Sequence, residues 1–241
     1  MKSKNVLVTL SILIFSATVM VPMAYAVDMF HKDEMPFGKP YEDWVQDYWR
    51  WNAALPSDPE TTVAGVKENG CFINKEGPVA FLMDPAIGGK HHQRCEISSN
   101  QGIFISAWSG ECDGSTKGYE NASFKELSKC ARDLNLGKVT VNAWVDNKSI
   151  AQVKAEDYKT INVVNTTELY TKAFNITTPE NSWLTVDYPG PHPGAVHGWF
   201  IFLKPLPVGE HTFHYVNDVR PTTLGAGNTN NADITYSLKV K

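Results

Sequence analysis

Two contrasting patterns of apolar residues lie toward the C-terminal end of the chain. Trp199-Phe200-Ile201-Phe202-Leu203 is apolar at every position, which suits a strand covered on both faces. His211-Thr212-Phe213-His214-Tyr215-Val216 alternates more openly and is rich in the β-branched and aromatic residues that pleated surfaces favour. Between them, Lys204-Pro205-Leu206-Pro207-Val208-Gly209 cannot extend a ladder, because two prolines lack N–H donors and the glycine permits positive φ. The pattern predicts a β-hairpin over 197–216, with sheet and loop packed around it.

Strand patterns dominate elsewhere. Val79 to Met83 and Ile103 to Trp108 read as strands separated by a polar segment, Gly88 to Arg94. From Lys138 on, Val139, Val141, Ala143 and Val145 alternate with polar or bulky neighbours, and Asp146-Asn147-Lys148 offers a tight turn. Further strands are expected over Thr160–Val164, Thr171–Ile176 and Trp183–Val186. In the last, Ala232, Ile234, Tyr236, Leu238 and Val240 should face inward. Short strands with regular turn signals predict a mainly β fold, an Ig-like or jelly-roll β-sandwich.

Two helices interrupt this pattern. Pro40 to Leu55 has proline and acids at its start, Pro56 as a stop, and Trp44, Tyr48, Trp51 and Leu55 at helical spacing. That stripe is expected to pack on the sandwich. The second helix, about 123–135, opens with Ser123 and Glu126 as a capping box and places Phe124, Leu127, Cys130 and Leu134 on one face. Asn135 and Gly137 follow its end.

Residues 1–26 read as a secretory signal peptide: Lys2 and Lys4, an apolar run from Val6 to Val21, then Ala24-Tyr25-Ala26 as a cleavage site. Residues 27–241 then form a single secreted domain, outside the cytoplasm, with no transmembrane span. Without those two lysines the 22 basic residues become 20 against 26 acidic, a formal charge of −6. A nucleic-acid partner, which needs a basic face, is therefore not expected. Cys71, Cys95, Cys112 and Cys130 predict two disulfides in an oxidising compartment. Three connectivities are possible; short loops favour Cys71–Cys95 and Cys112–Cys130. Sequons at Asn121, Asn147, Asn165 and Asn175 are candidate glycosylation sites.

Several stretches follow one another as an ordered set of landmarks. They are Tyr48-Trp49-Arg50-Trp51, Cys71 leading to Gly77-Pro78-Val79-Ala80-Phe81-Leu82, Arg94-Cys95, Glu111-Cys112, Leu127 to Cys130, Gly198-Trp199-Phe200 and Gly209-Glu210-His211-Thr212-Phe213-His214. With the final Asp233-Ile234-Thr235-Tyr236, they make the chain resemble a family of uncharacterised secreted microbial proteins with a Trp-rich N-terminal helix and a C-terminal Gly-x-His-Thr-x-His hairpin. The chain departs from that pattern at Met83-Asp84-Pro85. The resemblance implies one exported domain and transfers no catalytic residue.

Neither a Gly-x-Ser-x-Gly elbow nor a His-Glu-x-x-His motif is present in the sequence. No cofactor is expected. In a hairpin the start of one arm and the end of the other share one end of the sheet. That geometry gathers Tyr188, His192 and His197 with Asn217, Asp218 and Arg220 as a candidate ligand site. The expected function is a non-catalytic exported module binding an envelope or extracellular ligand, polysaccharide or protein. The alternative is a metal-binding protein or metal-dependent enzyme using His197 and His214.

Overall fold

A computed structural model describes residues 27–57, 71, 73–74, 76–83, 88–184, 186–222 and 230–241. The expected signal peptide, 1–26, and the Asp84-Pro85 departure lie outside the described residues. Among the described residues the fold is a mainly β sandwich of two six-stranded sheets with two α-helices.

The first sheet runs in the order β1 (Ile73–Asn74), β2 (Val79–Leu82), β4 (Gly102–Asp113), β10 (Gly190–Leu203) and β8 (Thr167–Tyr170), with β9 (Phe174–Thr178) also paired to β10. The second runs β3 (Gly89–Ile97), β12 (Asn230–Val240), β11 (Gly209–Pro221), β5 (Gly137–Val145), β6 (Lys148–Glu156) and β7 (Lys159–Val164). The inner faces bring Ile103, Ile105, Trp199, Ile201 and Leu203 against Val141, Phe213, Tyr215, Tyr236 and Leu238. The inward residues of β12 are the alternating set expected from the sequence.

The expected hairpin over 197–216 does not form. Its arms belong to different sheets: β10 pairs with β4, β8 and β9, while β11 pairs with β12 and β5. The linker 204–208 carries the chain across the sandwich edge and buries Leu206 on the way. Each arm's pattern follows from its cover. The outer face of the first sheet lies under α1 (Tyr41–Ala53), where Phe104, Phe200 and Phe202 meet Tyr41, Trp44, Val45 and Tyr48. The β10 arm is thus enclosed on both faces, whereas the second sheet has half-buried residues on its outer face. In α1, Trp49 is buried and Trp51 only half-buried, so the buried stripe is rotated from the expected one.

Other boundaries differ from the sequence reading. The polar segment 88–94 falls in β3, which pairs parallel to β12. No strand forms over Trp183–Val186 among the described residues; Ser182 makes an isolated bridge with Pro56. The strand expected over Thr171–Ile176 begins only at Phe174, as β9, with 171–173 linking it to β8. The two disulfides are Cys71–Cys95 and Cys112–Cys130.

One irregularity in the first sheet sets which residues face α2. In the β4–β10 ladder Trp199 pairs with Trp108 and Phe200 with Ser106, leaving Ala107 as an extra residue. A bulge of one residue inverts facing beyond it. Ala107 and Trp108 are therefore both in the inner core, and past them Gly110 and Cys112 turn inward while Glu111 and Asp113 turn outward.

Candidate functional site

Helix α2 (Phe124–Asp133) closes one end of the sandwich over the inward positions created by the bulge. A ten-residue helix is marginal alone, so its position needs anchors. Ser123 and Glu126 form the complete capping box, and Leu127 and Ala131 are buried. The Cys112–Cys130 bridge ties it to β4. Gly110 lets the two backbones close up, because a Cβ there would overlap the Ala131 carbonyl oxygen.

Past the helix, Asn135 reaches into the sheet. Its Nδ2 donates to the His197 carbonyl at 2.9 Å and lies 2.8 Å from His197 Nδ1. With Nδ1 accepting, the imidazole proton sits on Nε2, which faces Glu168 Oε1 at 3.2 Å. Glu168 also accepts from Thr160 Oγ1 at 2.6 Å, and Thr160 in turn accepts from Trp199 Nε1 at 3.0 Å. The His197 bond and the Thr160 hydroxyl hold the Glu168 carboxyl below its usual range against the opposing effect of burial. His197 is 0% exposed. This is a closed network that joins β8, β10 and the chain after α2.

Tyr170 lies over that network. Its ring stacks on the His197 imidazole at 4.0 Å with 26° between planes, yet the residue is 51% exposed. Burial, then the Glu168 charge, raises its hydroxyl pKa. The result is an aromatic ring fixed from behind and open in front.

Two grooves flank α2. One, of about 670 Å³, is bounded by Tyr119, Glu120, Asn121, Glu126, Lys129 and Asp133. The other, of about 510 Å³, is bounded by Lys125, Glu126, Ser128, Lys129, Arg132 and Tyr170. Glu126 and Lys129 border both, so the grooves adjoin across the helix.

The sequence-predicted ligand residues are dispersed around this end. Tyr188 is in a loop, and its hydroxyl bonds Glu120 on the rim of the larger groove. His192 is a β10 residue whose Nε2 lies 2.8 Å from the Tyr188 carbonyl. His197 is sealed beneath Tyr170. Asn217, Asp218 and Arg220 are strand residues of β11. Asn217 is buried and accepts from Ala232 N, and Asp218 pairs with Arg220 at 3.1 Å. The two groups approach through the chain after α2: Asn135 bonds His197, and Thr222 N donates to Leu136 O.

The metal alternative places its two histidines apart. His197 is in the first sheet; His214 is in the second, bonded to Asp233 at 2.8 Å and stacked on Trp144. Among the described residues no group of three or more His, Cys, Asp or Glu is arranged to hold a metal ion. The sequons at Asn121, Asn147, Asn165 and Asn175 are all exposed, although Asn165 Nδ2 donates to Ile150 O.

Sequence reasoning missed Glu168, Tyr170 and the cations of α2. The basic signal was legible, since Lys125, Lys129 and Arg132 recur at i, i+4 and i+7. The role of Tyr170 was not, because it depends on a histidine 27 positions away in another strand.

No protein-family model matches the chain, and no curated protein matches it. Among solved structures, it is similar to the cysteine protease inhibitor EhICP2 from Entamoeba histolytica, at 15% identity and a TM-score of 0.24, over 68% of this chain and 95% of that one. It is also similar to a structure described as PbICP-C in complex with falcipain-2, at 11% identity and a TM-score of 0.25, over 68% of this chain and 100% of that one. Overlaps this loose say nothing about what the chain binds.

Proposed function

We propose that the chain is an exported, non-catalytic β-sandwich module that binds an extracellular or envelope polysaccharide at the α2 end. The observation that carries this reading is Tyr170. Its ring is held at 4.0 Å against a fully buried imidazole, and the residue is half exposed at the border of a groove. A pre-positioned aromatic face loses little freedom when an apolar sugar face stacks on it, and the polar groove walls supply hydrogen bonds. The carboxylate–imidazole pair that acid–base chemistry would use is instead spent on holding the ring, with both imidazole nitrogens engaged. Two disulfides are compatible with an oxidising, extracellular setting.

The test is calorimetric titration of the oxidised protein with soluble polysaccharides of differing charge and linkage. At least one should bind, and Tyr170→Ala should abolish that binding while leaving the melting temperature near its parent value. Binding unaffected by Tyr170→Ala, or no binding to any polysaccharide, would refute the assignment.

A further inference from the structure

Resting on the polysaccharide reading, we infer that the ligand is an acidic polysaccharide, one bearing uronate or sulfate groups, engaged by Tyr170 and the basic face of α2. The chain carries a formal charge of −4, so its net field disfavours an anionic ligand. The groove beside Tyr170 is the reverse: Lys125, Lys129 and Arg132 border it against the single acid Glu126. Their i, i+4, i+7 spacing sets them in a row along about 10 Å of helix.

The three cations are not equivalent. Lys129 pairs with Asp133, and Arg132 donates to the same carboxylate at 2.9 Å while its guanidinium lies 4.9 Å from the Tyr158 ring centre. These contacts hold two cations at the groove wall and set one carboxylate between them, so Lys125 carries the charge that no acid offsets among the described residues. Glu126 is occupied by the capping box, accepting from Ser123 N and Oγ at 2.7 Å each. Lys125 is exposed and has no such carboxylate partner among the described residues. A neutral sugar has no need of this row. A chain with a carboxylate or sulfate on successive residues matches it, with charge-assisted hydrogen bonds to the cations and stacking on the tyrosine.

Titration with polygalacturonate, with neutral dextran in parallel, tests the inference. Polygalacturonate should bind, weaken as sodium chloride is raised, and bind about tenfold more weakly to Lys125→Glu. Lys125→Glu lies on the exposed side of the helix, and an unchanged circular dichroism melt confirms that it folds. Equal binding of dextran, or binding insensitive to both salt and Lys125→Glu, overturns the acidic-ligand inference while leaving the polysaccharide module standing. No binding to either polymer, nor to any in the wider panel, overturns both.

Discussion

The two helices of this protein are used in opposite ways. α1 spends its aromatic residues on burial: Tyr41, Trp44 and Tyr48 are packed against Phe81, Phe104 and Phe202, so the outer face of the first sheet becomes a second core. α2 buries only Leu127 and Ala131 and leaves its charged residues at two grooves. Its place is set by a bridge, a cap and a glycine contact, not by apolar area. In the proposed reading stability and recognition are thereby separated: the first helix fixes the sandwich, and the second lines two grooves with charged side chains.

The largest expected difference is between the cores. Phe104→Ala removes a fully buried ring packed among five other aromatics and should cost about 3–5 kcal/mol. Thr235→Ala, on the outer face of the second sheet, should stay within about 0.5 kcal/mol. Urea unfolding of the two variants measures both, and similar midpoints would erase the distinction between a doubly covered and a singly covered sheet.

Removing the Cys112–Cys130 bridge by a double alanine variant should cost about 3 kcal/mol. Because α2 has so little apolar area, its amides should lose hydrogen-exchange protection first, ahead of 199–216. Protection lost uniformly would mean that the helix is held by the core after all. Ser123→Ala should cost about 1 kcal/mol and act on the same helix end.

Two carboxylates should respond to pH with opposite signs. Glu111 faces outward past the bulge, half-buried with Oε1 unpartnered, and burial and then the Asp113 charge raise its pKa well above the usual value. Its folded form keeps a proton that the unfolded chain releases, so its presence costs stability as pH rises above about 4.3. Glu111→Gln should therefore stabilise by about 1 kcal/mol at neutral pH, with the gain vanishing in acid. Glu168 is the reverse case, its pKa lowered by His197 first. Its contribution is present above the unfolded value and disappears as pH falls through the lowered one. Glu168→Gln should cost about 1 kcal/mol at neutral pH, an effect already reduced for its exposure, and nothing in strong acid. Thermal melts across pH 3 to 8 read both, and parallel profiles would contradict the assignments.

Much of the fold was legible because periodicity reports burial. The β12 alternation, the Ser123–Glu126 cap and the continuous apolar run at 199–203 all match their environments. What the run could not reveal was its partner. A five-residue linker suits a hairpin and a crossing between sheets equally, and the clue lay in the contrast between the arms: one apolar throughout, the other alternating. Adjacent strands of one sheet tend to share their cover, so unlike patterns belonged to unlike sheets. The bulge at Ala107 was silent for a different reason. It changes facing without changing composition, and α2, Glu111 and the groove all follow from it.

The central claim, that α2 with Tyr170 is the recognition surface, is tested most directly by amide chemical-shift mapping with an oligogalacturonate. Shifts should cluster at 118–133 and around Tyr170 and remain small along α1 and the outer face of β12. Shifts concentrated on the second sheet, or at Asp218 and Arg220 with α2 unmoved, would contradict the account.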